Sequence, residues 1–216
     1  MKQTFAIATI LICITVKAQN FSIGPTIGFG HSWISNQVEE DLMFNPSWNA
    51  GLSFNYSTKK NFGIGADLKY LTEGNKFSYL GAYIPEAPPS GKTTEWHHFN
   101  YLRLPVKFIY FFGQPGKRLR PKIYAGPDFG IGTKLQVVEK NNGDKYKAGV
   151  ETYYKSFDVG ITAAAGLNFR LASSTWLNTD VAYYNGLQNI SKTNSNNRNR
   201  NIELSIGLLT GLKKKK

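Results

Sequence analysis

The chain has 216 residues, of which 26 are Lys or Arg and 14 are Asp or Glu, so its formal net charge is +12. A composition that is 41% apolar and 14% aromatic is too hydrophobic for a disordered chain. The 21 glycines disfavour a helical bundle, because a glycine inside a helix costs about 1 kcal/mol. The length allows one or two soluble domains or a single barrel.

Residues 1–18 are interpreted as a secretory signal peptide, with cleavage predicted after Ala18. Lys2 supplies the charged start, and Ala6–Val16 is an uncharged apolar run that is too short for a bilayer span of about 20 residues. An anchor helix and a lipoprotein lipidated at Cys13 are the less favoured alternatives. Cys13 is the only cysteine, so the mature chain is predicted to lack disulfides, cysteine catalysts and cysteine-ligated metals.

After the signal peptide, the sequence alternates between apolar residues and small, polar or charged residues in eight segments, which is typical of β-strands. The segments are Phe21–Trp33, Trp48–Tyr56, Phe62–Tyr70, His98–Phe112, Lys122–Thr133, Phe157–Phe169, Leu177–Tyr183 and Ile202–Leu212. No other stretch reaches 18 apolar residues, so no transmembrane helix is predicted. The alternation alone fits a soluble sandwich with its apolar face inside, and equally a membrane barrel with its apolar face towards lipid.

The lengths of the segments and of their connections favour the membrane barrel. The first, third, fifth and seventh connections are long and the others are short, which is the pattern of outer-membrane barrels with short periplasmic turns. The long connections are 34–47, 71–97, 134–156 and 185–200, and the short ones are 57–61, 113–121 and 170–174. The strands, at about 9–13 residues, also match the ~9–11 residues that a tilted spanning strand needs.

Charged residues on the polar faces predict an ion-pair network inside the barrel. The acids are Asp67, Asp128, Asp158, Asp180 and Glu203, and the bases are Lys69, Arg103, Lys107 and Lys122. On the lipid face, an Arg or Lys near the membrane midplane would cost about 2–4 kcal/mol, which supports this register. Eight strands enclose an interior just wide enough for side chains, so we expect a packed lumen.

Three prolines, Pro25, Pro105 and Pro127, lie inside predicted strands. Proline cannot donate to the strand ladder, and a barrel has no free edge to accommodate it. Each is therefore expected to mark a bulge or a local defect of the ladder. The register around Pro105 is the one that the sequence defines least.

Glu95, His97 and His98 surround Trp96 at the end of the third connection. Adjacent residues of a strand point to opposite faces, so the two histidines are not expected to share a metal. An interfacial aromatic belt is preferred over a metal or acid–base site, and no catalytic residue, metal or cofactor is assigned. The basic runs fall at the predicted periplasmic end, where they can meet anionic lipid head groups, and no nucleic-acid partner is expected.

Tyr101–Lys107 resembles the Tyr-Leu-x-Ile-Pro-x-x-x-Lys region of the PorT-like, or porin-family, outer-membrane β-barrel proteins. Tyr124–Pro127, Tyr183–Ile190 and Asn201–Gly207 are similar to later strands of that family, and the resemblance covers roughly Gln19–Leu212. It implies an eight-stranded barrel in the outer membrane of a Gram-negative bacterium. It does not imply one activity, although one member of the family serves protein secretion.

The sequence therefore predicts a signal peptide (1–18), an eight-stranded antiparallel up-and-down transmembrane β-barrel (19–212) and a basic tail (213–216). The barrel is expected to be a non-enzymatic membrane scaffold or binding protein that acts through its outer loops, with an accessory role in secretion as one form. The expected partners are outer-membrane lipid, lipopolysaccharide, the barrel assembly machinery and secretion components. A narrow solute channel, a secreted lipocalin-like binder and a lipid-modifying enzyme remain as alternatives.

Overall fold

The computed structural model describes residues 21–35, 41–58, 60–80, 92–141, 144–193 and 196–212, all of them in strands or in the connections between strands. The strands are β1 (Phe21–Ser35), β2 (Asp41–Leu42), β3 (Pro46–Ser57), β4 (Phe62–Leu80), β5 (Lys92–Phe111), β6 (Leu119–Asn141), β7 (Asp144–Gly149), β8 (Phe157–Arg170), β9 (Thr175–Gly186) and β10 (Arg198–Gly211). The predicted signal peptide and the tail at 213–216 lie outside the described residues. Within the described part of the chain, no helix is long and apolar enough to cross a membrane.

Eight long strands form one closed antiparallel ring. Successive long strands pair with each other along the chain, in the order β1, β3, β4, β5, β6, β8, β9 and β10. β10 then pairs with β1 and closes the ring. Closure gives both sides of every long strand a hydrogen-bonding neighbour, which the lipid interior demands. The eight-stranded up-and-down barrel, predicted from the alternation together with the strand and connection lengths, is confirmed.

The apolar face of each strand points outward. Ile27 on β1 is 63% exposed, whereas its neighbour Thr26 is buried inside the ring. Aromatic pairs border this apolar surface at both ends. At one end, the ring centroids of Trp48 and Tyr70 are 6.0 Å apart. At the other end, Phe62 lies 5.3 Å from its partner ring on β5. An apolar band between two aromatic belts is the surface that a membrane barrel presents to lipid.

All four predicted outer connections are partly strand, and the predicted bounds 71–97 and 134–156 were wrong by the most. β4 and β5 stay paired from Phe62 opposite Tyr110 to Leu80 opposite Lys92. β6 likewise continues to its hairpin with β7. Beyond the aromatic belt at Tyr70, the β4–β5 hairpin extends about 30 Å further along the strand, at ~3.3 Å per residue. We call this side of the barrel the extended end and the opposite side the short-turn end.

The prolines interrupt the ladder without shifting its register. Pro105 pairs with Asp128, and the next pair, Phe108 with Ala125, keeps the same register. The pairs between these two are missing from the ladder because proline has no N–H to donate. The prediction of a local defect therefore holds here, and that of a bulge does not. The register shift between β5 and β6 lies instead between Asn100 and Tyr101, at the start of the extended end.

Candidate functional site

Arg103 lies at the centre of the barrel interior and is only 2% exposed. Its Nη2 donates hydrogen bonds of 2.6 Å to Glu73 Oε2 on β4 and to Asp158 Oδ2 on β8. Its Nη1 lies 3.7 Å from Asp128 Oδ1 on β6. One guanidinium therefore joins four strands, and the charge-assisted bonds compensate the removal of these groups from water.

Aromatic and amide side chains hold the carboxylate of Asp158 in place beside Arg103. The Tyr184 hydroxyl and Asn199 Nδ2 each donate to Asp158 Oδ2 at 2.9 Å. The guanidinium carbon lies 3.9 Å from the centre of the Tyr184 ring and 4.8 Å from that of Tyr101. The two rings pack against the guanidinium through cation–π contacts and help to fill the cross-section of the barrel beside the charge cluster.

A second group of charges surrounds Lys69, nearer the short-turn end. Lys69 Nζ lies 2.6 Å from Glu203 Oε1 and 3.8 Å from Asp67 Oδ2. Lys107 Nζ donates to the other oxygen of Asp67 at 2.5 Å. Asp67 therefore bridges two lysines, and the positive and negative charges alternate through this layer.

All nine interior charges named from the sequence point into the barrel and lie within ion-pair distance of a partner. They fall into three groups, namely Arg103 with Asp128 and Asp158, Lys69 and Lys107 with Asp67 and Glu203, and Lys122 with Asp180 at 2.9 Å. Among the described residues, two further charges are buried inside the barrel and were not predicted there, Glu73 and Arg120. Both lie in segments that were interpreted as connections. Continuing the alternation of inward-facing residues past the predicted strand ends would have identified both as interior residues.

The interior around Arg103 is filled almost completely. A cavity of about 20 Å³ lies beside it, with Lys69, Glu73 and Tyr184 in its wall. That is roughly the room for one water molecule. Glycine makes the packing possible, since a Cβ at Gly160 would lie 2.5 Å from the Tyr184 ring. The side chains therefore close the lumen at this level.

At the extended end, a pocket of about 260 Å³ lies between strands β5 and β6 and the connections after β7 and β9. It is lined by Glu95, His97, Val137, Val150, Tyr153, Tyr154, Ser191, Thr193 and Asn197. His97 is 6% exposed, and its Nε2 forms a 2.6 Å hydrogen bond with Glu95 Oε1. His97 Nδ1 and Asn197 Oδ1 are buried without a hydrogen-bond partner. The pocket thus combines aromatic surface with unused polar atoms.

His97 and His98 point to opposite faces of β5, as their adjacency predicts. His98 is half-buried on the outer face, where burial first, and then electrostatic repulsion from neighbouring basic groups that include Lys145 and Lys147, lower its pKa. His97 lies beyond the aromatic belt and forms a pocket wall, so the aromatic-belt interpretation was wrong for it. Among the described residues, no group of three or more His, Cys, Asp or Glu side chains is placed to hold a metal ion.

The sequence profile described as "Outer membrane protein beta-barrel domain" matches residues 17–192. Neisserial surface protein A is similar in structure, with a TM-score of 0.50 and 13% identity over 89% of this chain and 97% of that one. OprG of Pseudomonas aeruginosa gives a TM-score of 0.50 and 13% identity over 90% of this chain and 96% of that one. Curated protein sequences contain no match.

Proposed function

Since the chain belongs to the outer membrane protein beta-barrel domain family, we propose that it is a non-conducting, non-enzymatic binding protein of the Gram-negative outer membrane. In this proposal residues 1–18 direct export, the barrel assembly machinery inserts the strands, and the extended end faces outward. The observation that carries the proposal is the contrast between a filled interior and an open pocket that β5, β6 and the connections after β7 and β9 form at the extended end. Paired strands position binding residues better than unpaired loops do, and they hold Glu95, His97 and Val137 in the pocket wall.

A closed interior argues against the alternative of a narrow solute channel. An ion passing Arg103 would have to displace it from Glu73 and Asp158, which hold it at 2.6 Å. Breaking a buried pair of this kind costs about 3–5 kcal/mol, so spontaneous opening is rare. In planar bilayers we expect the purified protein to give no stepwise conductance. Reproducible steps that change size in an Arg103→Lys variant would instead establish a channel.

The chemistry of the extended-end pocket favours a ligand rich in hydroxyl groups, such as the sugars of lipopolysaccharide. Tyr153 is 60% exposed and offers a ring face against which a sugar can stack. His97 and Asn197 offer unpaired polar atoms that a hydroxyl can satisfy. Satisfying buried polar atoms of this kind is a strong source of specificity. We therefore propose outer-leaflet lipopolysaccharide as the ligand class of this pocket.

Binding of the core oligosaccharide released from lipopolysaccharide to the refolded protein tests this assignment. Tyr153→Ser should weaken the affinity about fivefold or more, because it removes the stacking surface. Tyr146→Ser is the matched control, because Tyr146 is 63% exposed on β7 but does not line the pocket. We expect the control to stay within about twofold of wild type. Equal losses in both variants, or no saturable binding by wild type, would refute the assignment.

The resemblance of Tyr101–Lys107 to the PorT-like proteins supports a further role as an accessory of protein secretion. In this form of the proposal, secretion components contact the paired hairpins of the extended end. A deletion strain should then accumulate exported proteins in the periplasm, and the wild-type gene should reverse the effect. An unchanged profile of secreted proteins would remove this role and leave the lipopolysaccharide-binding role untouched.

A further inference from the structure

A second pocket, of about 250 Å³, opens at the short-turn end of the barrel, on the side away from the proposed ligand site. Arg120 on β6 lines it, together with the aromatic rings of Phe111 and Trp176. The side-chain amides of Asn168 and Asn178 also face it. The pocket is therefore a polar recess with aromatic walls, built by strands β5, β6, β8 and β9 among others.

Arg120 differs from the other bases of the interior because its guanidinium is not neutralised. It is 7% exposed, and neither its Nε nor its Nη2 has a hydrogen-bond partner. Its guanidinium carbon lies 4.6 Å from the centre of the Phe111 ring, and no carboxylate of the described residues forms an ion pair with it. The other four interior bases each lie within 3.0 Å of a carboxylate oxygen; these are Lys69, Arg103, Lys107 and Lys122.

The charge around this pocket is positive. Lys60, Lys117, Arg118 and Arg170 lie in or beside the short turns at this end. The acid of the nearest interior ion pair, Asp180, already accepts a hydrogen bond from Lys122 at 3.0 Å through its Oδ2. A recess lined by one sign of charge concentrates ions of the other sign. A buried, unpaired guanidinium is costly by itself, and an oxyanion that accepts from its fork of donors offsets that cost.

Hydrogen-bond acceptors accompany the guanidinium. The Oδ1 atoms of Asn168 and Asn178 are buried without partners. Acceptors of this kind pair with hydroxyl groups and not with the oxyanion itself. The complementary ligand therefore carries a negative oxyanion group and one or more hydroxyls next to it.

We propose that the short-turn pocket binds a hydroxylated phosphate of the glycerol phosphate type, with Arg120 on the phosphate and Asn168 and Asn178 on the hydroxyls. The same chemistry occurs in free glycerol phosphate and in the head group of phosphatidylglycerol. This site is independent of the extended-end pocket, because the filled layer around Arg103 separates the two.

Calorimetric titration of the refolded protein in an uncharged detergent with glycerol 3-phosphate tests the site. Wild type should bind saturably, and Arg120→Gln should weaken binding about tenfold or more, because the charged fork is lost. Arg118→Gln is the matched control, since Arg118 is an exposed arginine of the same end that lies over Phe169 and does not line the pocket. It should change the affinity by no more than about twofold.

A second arm uses nanodiscs of phosphatidylcholine with and without phosphatidylglycerol, in which the melting temperature is measured. Stabilisation by phosphatidylglycerol that Arg120→Gln removes and Arg118→Gln keeps would assign the site to the lipid head group. Saturable binding of free glycerol phosphate with the same dependence on Arg120 would assign it to the soluble ligand. Equal effects of the two variants in both arms, or no effect of either probe on wild type, would overturn the proposal. Arg120→Lys, which keeps the charge without the fork, should fall between wild type and Arg120→Gln, and it covers the case in which Arg120→Gln does not fold.

Discussion

Replacing Arg103 with methionine tests whether the interior network holds the barrel together. The substitution leaves Glu73 and Asp158 as buried carboxylates that have lost a 2.6 Å partner. Breaking a buried ion pair from one side costs about 3–5 kcal/mol. The lost contacts with the rings of Tyr101 and Tyr184 add to this. Methionine refills most of the volume, so we expect the free energy of unfolding to fall by about 4 kcal/mol.

Urea unfolding in detergent micelles, followed by tryptophan fluorescence, measures this change through linear extrapolation. Arg118→Met is the control, because Arg118 is exposed at the short-turn end and its replacement should cost less than about 0.5 kcal/mol. Adding Asp158→Asn to Arg103→Met should recover about 1–3 kcal/mol, since one uncompensated charge is removed. A loss below about 1 kcal/mol for Arg103→Met, or strictly additive effects in the double variant, would refute the network argument.

Two further predictions concern the membrane itself. Ile206→Arg on the lipid face of β10 should destabilise the inserted barrel by about 2–4 kcal/mol, whereas Thr210→Arg, on the same face but near the short-turn end, should cost about 0–1 kcal/mol. Equal urea midpoints for the two variants would mean that this face does not cross lipid. The native protein should fractionate with the outer membrane and migrate differently on gels before and after boiling; release into buffer without detergent would restore the lipocalin-like alternative.

The strands inside the lipid band could be predicted from the sequence because lipid sorts their residues. Each outward position there must be apolar, as Ile27 and Ile206 are, and each inward position can be small, polar or charged. This contrast has a period of two, and a slip by one residue would place Arg103 or Lys107 in lipid. The face on which each residue lies therefore follows from the alternation along its own strand.

Beyond the aromatic belt the contrast disappears, because water and not lipid surrounds the hairpins. In β4, Glu73 and Asn75 point inward and Phe77 is half-buried, so polarity no longer distinguishes the faces. Gly74 between them resembles a turn residue, but it has a φ of 131° and lies against the backbone carbonyl of His97 within a continuous strand pair. The sequence reasoning ended the strand at Tyr70 for this reason and so missed Glu73.

Which interior charges pair with each other also could not be predicted from the sequence. Arg103 meets Glu73, Asp158 and Asp128, which come from three other strands. Which of them are level with Arg103 depends on how far each strand is displaced along its neighbour around the closed ring. Alternation fixes the face of a residue but not its height, so the network was predicted as a set and its pairs were not.

A single inward row of β5 connects the filled interior to the extended-end pocket. Arg103, Tyr101, Phe99 and His97 alternate along this strand and are all buried. The His97 ring stacks on Phe99 at 5.7 Å, and the Tyr101 ring lies 4.8 Å from the guanidinium of Arg103. The charge cluster therefore anchors the strand that forms the pocket wall. A wall held in this way loses little conformational freedom when a ligand binds, which favours affinity. The buried charges that close the lumen thus also support the proposed binding site.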